Sequence, residues 1–443
     1  LRDCCRNRKK NLQMANKRLE NLSIKEINSY QNSALKEMLS YIETNSLFYR
    51  EHFSKNGIKT GKIKSTADLV HIPPTRKEDL QERSYDFICV KRDRIIDYLT
   101  TSGTSGDPVI YALTEKDLQR LAWNEYLGFR CAGCTRHDIF QLMTTIDRRF
   151  MAGMAYFLGS RRLRAAMVRV GNGIPELQWD TINRFSPTTL IAVPSFLLNI
   201  IDYAEKNGID HHASSVKRAV CIGDSLRNTD FTLNTLGRKI SERWPEMKLY
   251  STYASTEMAA SFTECGYGVG GHHHPELLIV EFLDDNDKPV AEGEAGELTI
   301  TSLGVEAMPL LRFKTGDICH GHFEPCKCGR NTMRVGPVIG RKNQMIKYKG
   351  TTLYPPSLYD ILENIDGVTN YIVELYTNTI GTDEILIRIG TGNPSESFEK
   401  KIKDHFRAKL RVAPSVSFET TDYINKLMYP GMSRKPVRLI DRR

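Results

Sequence analysis

Short apolar runs separated by stretches of helical period constrain this chain more than any other feature. Ile139-Phe140-Gln141-Leu142, Leu190-Ile191-Ala192-Val193, Arg218-Ala219-Val220-Cys221-Ile222 and Lys248-Leu249-Tyr250-Ser251 are each of strand length, and helical segments lie between them. Strands that alternate with helices join one sheet through crossovers, which predicts an α/β fold with a largely parallel sheet. Leu277 to Leu283 and Glu297 to Ser302 then read as strands of a β-rich segment that closes this large domain.

At 443 residues the chain exceeds the ~250–300 at which single cores stop growing, so a second domain is expected. Ser23-Ile24-Lys25-Glu26 reads as a capping box, and Leu35, Met38, Leu39 and Ile42 follow at helical spacing, giving a helical lead-in. Asn45 to Arg50 ends it. The last hundred residues change character: a helix from Ser357 to Asn364, strands near Asn370–Tyr376 and Glu384–Ile389, a helix from Ser397 to Leu410 and a strand near Ser415–Glu419. They predict a compact C-terminal α+β unit. The expected division is 1–339 for the large domain and 340–443 for the small one.

Thr100-Thr101-Ser102-Gly103-Thr104-Ser105-Gly106-Asp107-Pro108 follows a strand-like run containing Ile95, Ile96 and Tyr98. Its hydroxyls and free backbone suit an anion, because side-chain and amide hydrogens can converge on one point. It is neither a Walker A loop nor a dinucleotide glycine motif, and taken alone it also fits an ordinary polar turn. Thr114-Glu115-Lys116-Asp117 caps a helix bearing Leu118, Leu121 and Ala122, so strand, loop, helix is the predicted order.

Sixty-two basic against 53 acidic residues leave +9, which suits anionic substrates. The basic residues form no stripe of the kind a nucleic-acid binder carries, and runs such as Arg6 to Lys10 and Arg161 to Arg164 read as solvated faces. No apolar run reaches the ~20 residues of a membrane span, and the N-terminus lacks the apolar core of a signal peptide. The reading is a soluble cytoplasmic protein with neither nucleic acid nor membrane as partner. Ten cysteines in so long a chain do not make a disulfide framework.

Behind the hydroxyl loop come Ile222-Gly223-Asp224-Ser225-Leu226, Tyr253-Ala254-Ser255-Thr256-Glu257, Arg312-Phe313-Lys314-Thr315-Gly316-Asp317, Gly340-Arg341-Lys342-Asn343 and Ser433-Arg434-Lys435-Pro436-Val437-Arg438. In this order the series resembles the adenylate-forming superfamily, and the layout is most similar to its phenylacetate–coenzyme A ligase branch, from Asn45 to Asp441. The resemblance implies an ATP-dependent ligase that activates an aryl acid such as phenylacetate as its acyl-adenylate, releases pyrophosphate and passes the acyl group to coenzyme A. A carrier protein or an amine as acceptor, and a nucleotide-binding homologue without ligase activity, remain open. The family also suggests a homodimer.

Under this resemblance Thr101, Ser102, Gly103, Thr104, Ser105 and Gly106 hold the β- and γ-phosphates. Gly223, Asp224, Ser225, Tyr253, Ala254 and Ser255 border the adenosine, with Tyr253 against its ring and Gly223 admitting close approach. Glu257 is a hard oxygen ligand for Mg²⁺, and Thr256 reaches the α-phosphate. Asp317 accepts from the ribose hydroxyls, Arg341 lies near ribose or phosphates, and Lys435 bridges the attacking carboxylate and the α-phosphate. Val193 to Phe196, Ala254 and Met258 are candidates for the acyl pocket, and equally for core. Departures from the family pattern are Asp107 for Lys, Ala254 for Gly, Asn343 for Asp and Arg434 for Gly. Asn343 tolerates left-handed angles and so keeps a hinge feasible.

Cys265, His272, Cys326 and Cys328 form a second constellation, two soft ligands from each of two Gly- or Pro-bounded loops. Three thiolates and an imidazole make a closed tetrahedral set, which predicts a structural Zn²⁺. His273 or His274 can stand in for His272, and Cys319 and His320 are spare candidates. Cys131 and Cys134 with His137 have metal-like spacing without a second pair, and read instead as cysteines at a helix end.

Overall fold

The computed structural model describes residues 19–101, 109–349, 351–379, 381–430 and 436–443. Most of the hydroxyl loop, from Ser102 to Pro108, and the segment from Gly431 to Lys435 lie outside the described residues, as do Cys4, Cys5 and the basic run Arg6 to Lys10. Packing divides the chain into two units. One holds the described residues up to Thr232 with Gly237–Thr315 and Cys319–Pro337; the other holds Leu233–Leu236, Gly316–Ile318 and Val338–Arg443.

The first unit is built on a sheet whose parallel part has the order Ala166–Arg169, Ile139–Leu142, Thr189–Ala192, Arg218–Ile222, Lys248–Ser255. The four runs singled out in the sequence are all strands of it. Ala166–Arg169 gives a weaker signal because its apolar Ala-Met-Val is short and flanked by arginines, and all four of its residues are half-buried or exposed. The sheet turns antiparallel at Ala260–Glu264 and continues through Gly271–His272, Arg334–Val335, Phe313–His322, Ala295–Ser302 and Leu278–Leu283. This is the α/β architecture with a β-rich segment that the sequence predicts.

Ser23 and Glu26 make both bonds of a capping box at the start of helix Ile24–Asn45, which buries Leu35, Met38, Leu39 and Ile42. Ser46 then caps a further helix, Leu47–Lys55, so the lead-in continues where a stop was expected. Thr114 and Asp117 likewise cap helix Glu115–Cys131. That helix lies against Met151–Leu163, and the approach is close enough to need Gly159, where a Cβ would sit 2.3 Å from that of Glu125. Phe129, Phe140, Leu142, Tyr156, Ile191 and Val220 fill the space between these helices and the parallel strands.

One expectation is corrected. A second strand, Ile110–Thr114, stands between the hydroxyl loop and the helix, antiparallel to Ile95–Thr100. The loop therefore joins two paired strands, and Thr101 clasps its base. The Thr101 backbone N–H donates to the carbonyl of Val109 at 3.0 Å, and the Thr101 hydroxyl accepts from Val109 N–H at 3.0 Å.

The second unit has a four-stranded sheet in the order Ser415–Glu419, Asp383–Gly390, Asn370–Thr377, Leu439–Asp441, antiparallel in the middle and parallel at both outer pairs. Helices Pro355–Glu363 and Glu396–Leu410 cover a core of Leu358, Ile361, Val373, Ile387, Ile402 and Phe406. Helix Thr421–Met428 and strand Leu439–Asp441, only 8 and 3 residues long, are too short to show a period in the sequence. Among the described residues no helix is long and apolar enough to cross a membrane.

Candidate active site

In an open parallel sheet ligands bind beyond the carboxyl ends of the strands, where loops diverge. In the first unit two neighbouring strands deliver sequence candidates to that edge. Arg218–Ile222 runs into Gly223, which takes φ +85, a value that favours glycine. Lys248–Ser255 carries Tyr253, Ala254 and Ser255 and turns at Thr256 to Ala259 into the antiparallel strand Ala260–Glu264.

The loop after Gly223 is braced from inside. Asp224 is expected to border the nucleotide, but one of its carboxylate oxygens accepts from the hydroxyl of Ser195 at 2.8 Å and from Ser195 N–H at 3.3 Å. It thereby caps the start of helix Pro194–Lys206. Ser225 donates to the carbonyl of Arg227 at 3.0 Å. Arg227 forks onto Glu264 at 2.8 and 3.0 Å, and Glu264 also accepts from Ser251 N–H at 3.1 Å. Burial raises the Glu264 carboxyl while Arg227 opposes the rise.

The turn bearing Glu257 is fixed by a residue that the sequence does not advertise. Arg120, buried on helix Glu115–Cys131, donates to the carbonyls of Ala259 at 2.6 Å, Leu277 at 2.7 Å and Leu303 at 2.8 Å. Burial lowers its guanidinium to about 10. Ala259 itself takes φ +46, and Ser255 accepts from Met258 N–H at 3.3 Å. Thr256 and Glu257 are half-buried on this held turn. Ala254 is exposed in the strand without a positive φ, so the missing glycine costs nothing there. Tyr253 lies parallel to Phe262, ring centres 6.0 Å apart.

In the second unit Asp317 and Arg341 are directly opposite each other on paired strands, with Nε and a carboxylate oxygen 3.4 Å apart. Asn343 lies in a single 3₁₀ turn, Lys342–Gln344, and does not use the left-handed region. Lys435 lies outside the described residues. Arg438, three residues on, donates to Glu363 at 2.6 Å and lies over the rings of Tyr359 and Tyr371.

The sulfur constellation assembles in the first unit. The ligating atoms of Cys265, His272, Cys326 and Cys328 all lie within 4.8 Å of one another. Cys265 and Cys326 sulfurs are 3.7 Å apart, and Cys328 sulfur is 3.4 Å from His272 Nε2. A Zn–S bond of ~2.3 Å sets a tetrahedral S···S edge of about 3.8 Å, so the spacing fits a metal better than a disulfide. Burial pushes the His272 imidazole down to about 3, leaving it neutral as a ligand must be. Burial opposes ionisation of Cys328, but the Arg330 guanidinium 3.4 Å from its sulfur pulls the thiol below its usual value. His273 Nε2 donates to the Leu278 carbonyl at 2.7 Å, and neither it nor His274, Cys319 or His320 joins the group. Cys131, at the end of helix Glu115–Cys131, packs against Cys265 and Cys326 outside the four.

A family model described as AMP-binding enzyme matches residues 28–307. The chain is 27% identical over 382 residues to phenylacetate-coenzyme A ligase of Thermus thermophilus, covering 85% of this chain and 84% of that one. It is 26% identical over 439 residues to phenylacetate-coenzyme A ligase of Escherichia coli, covering 96% and 97%. Among solved structures, 2-hydroxyisobutyryl-CoA ligase in complex with 2-HIB-AMP is similar in fold, with a TM-score of 0.82 at 20% identity over 96% of this chain and 92% of that one.

Proposed function

Because the chain belongs to the AMP-binding enzyme family, we propose that it is an AMP-forming acid–coenzyme A ligase acting on an aryl acid of the phenylacetate kind. The observation that carries this reading is the meeting, at the carboxyl ends of two adjacent parallel strands, of the Gly223 loop with the held turn of Thr256 and Glu257.

A carboxylate oxygen of the acid attacks the α-phosphorus of ATP; the new P–O bond forms as the bond to the β-phosphate oxygen breaks and pyrophosphate leaves with the electron pair. Coenzyme A thiolate then attacks the acyl carbon, a C–S bond forms, the C–O bond of the mixed anhydride breaks, and AMP departs. Residues 1–339 bind ATP and acid. Thr101 to Gly106 hold the departing phosphates, Tyr253 lies along the adenine, and Thr256 reaches the α-phosphate. Residues 340–443 form the small domain, whose Asp317-paired Arg341 reaches ribose or phosphate and whose Lys435 neutralises charge as the acid attacks. Glu257 suits Mg²⁺, which needs one or two carboxylates and supplies charge neutralisation at the phosphates. Cys265, His272, Cys326 and Cys328 would hold a structural Zn²⁺ tying two loops of the β-rich segment.

Acid-dependent ATP–pyrophosphate exchange across a panel of aryl and alkyl acids tests this. Exchange is expected with arylacetic acids and lost in Lys435→Ala. No exchange with any acid, or exchange unaffected by that substitution, overturns the reading. Offering carrier proteins and amines beside coenzyme A identifies the acceptor.

A further inference from the structure

Helix Glu396–Leu410 buries Ile402 and Phe406, and the neighbouring stripe carries Lys403 and Arg407, with Arg411 one turn further on. Positions four apart stack along one helix face, so these cations form a ladder. Lys349, which opens the turn after strand Ile346–Tyr348, completes the group from a different element. Together they line a cavity of about 470 Å³ floored by Val412 and Pro414, both buried. The hydroxyl of Tyr348 donates to Ala413 carbonyl at 3.1 Å and holds the two elements in register.

Basic residues near a helix C-terminus are favoured by its dipole, and that accounts for Arg407. It does not account for Lys403, farther back along the helix, or for Lys349 on a separate hairpin. A second observation sets two of the four apart. Lys349 has φ +48 and Arg411 has φ +62, left-handed conformations that strain an L side chain and that glycine adopts freely. Arg411 is the left-handed C-cap of its helix and Lys349 a left-handed turn residue, so at both positions the chain carries a long cation where glycine is the usual choice. Lys403 and Arg407 pair with Glu399 and Asp404 on their own helix, at 2.5 and 2.7 Å; the Arg407 pair faces solvent and the Lys403 pair is half-buried, and both are single ion pairs within one helix that a ligand of higher charge can displace. Among the described residues neither Lys349 nor Arg411 makes an ion pair.

We propose that this cavity binds the phosphate groups of a nucleotide. Four cations against two carboxylates match a ligand bearing several negative charges, and the volume suits one nucleotide. The phosphates can come from the nucleotide end of coenzyme A or from a free nucleotide; the first source rests on the ligase reading above.

Full-length protein is titrated calorimetrically with adenosine 3′,5′-bisphosphate, coenzyme A, dephospho-coenzyme A and ADP, comparing wild type with Lys403→Gln/Arg411→Gln and with Arg411→Gly. The double variant is expected to weaken bisphosphate and coenzyme A by about tenfold or more and dephospho-coenzyme A by less, with ATP–pyrophosphate exchange unchanged. Equal weakening of ADP assigns the same site to free nucleotides. Arg411→Gly relieves the backbone, so it should melt no lower than wild type while still binding more weakly, which separates a lost contact from a damaged fold. Unchanged affinity for bisphosphate and coenzyme A in both variants overturns the proposal. A wild type that binds bisphosphate but forms no thioester defeats the ligase reading and leaves the cavity assignment standing.

Discussion

The hydroxyl of Ser195 lies 2.8 Å from a carboxylate oxygen of Asp224, joining the start of helix Pro194–Lys206 to the loop that follows Gly223. One carboxylate therefore ties a candidate acyl-pocket segment to a candidate nucleotide loop. Asp224→Ala should cost about 1 kcal/mol of stability, the usual loss of an N-terminal cap. It should also raise KM for both ATP and acid, since both loops lose the same anchor. Denaturant melts and exchange kinetics read the two effects, and a normal KM for both substrates would reduce Asp224 to a helix cap.

Metal analysis of protein purified without chelator should find zinc, and Cys326→Ser should lose it and melt earlier. Cys131→Ser should retain it, because Cys131 packs beside the four ligands without joining them. Binding requires thiolates, so the metal should be released as pH falls, when protons compete for sulfur. Zinc absent from wild type, or retained by Cys326→Ser, would sink the assignment.

Arg120→Met removes three donors from buried carbonyls of Ala259, Leu277 and Leu303. A loss of roughly 2–4 kcal/mol is expected, because the acceptors stay buried without partners. Since Ala259 belongs to the turn of Glu257, kcat of the adenylation step should fall further than that of Asp224→Ala. Pre-steady-state release of pyrophosphate measures it.

Glu125 is buried between two helices, with Asn124 at 2.8 Å as its hydrogen-bond donor, and burial raises its carboxyl to about 8. The folded protein then keeps a proton that the unfolded chain releases near pH 4.5, so this group's contribution is intact below that pH and is lost as pH rises through about 8. Glu125→Gln should remove the dependence. Its advantage over wild type should grow across that window to roughly 2–5 kcal/mol by pH 9. Parallel stability curves for the two proteins would show that Glu125 is not protonated in the fold.

Much of the architecture was legible because it rests on local pattern. The four apolar runs are parallel strands, and Ser23 with Glu26 and Thr114 with Asp117 cap the helices they were expected to cap. Strand Ile110–Thr114 is hidden in the sequence because the capping signal of Thr114 dominates its last residue, where a strand and a helix meet. The place of Asp224 beside Gly223 points to a nucleotide contact, and nothing local to it points to its bond with Ser195, 29 residues away.

By itself the sequence determined the alternation of strands and helices, the order of the candidate motifs and the types of ligand available to a metal, since each follows from residue identity over a few neighbours. Tertiary structure alone decided that Cys265 and Cys326, 61 residues apart, come within 3.7 Å, and that Arg120 reaches across 139 residues to hold the turn of Glu257. The reason is physical. Periodicity and capping act over one or two turns of chain, whereas the partner of a buried guanidinium or thiol is set by which distant strands the closed sheet places beside it.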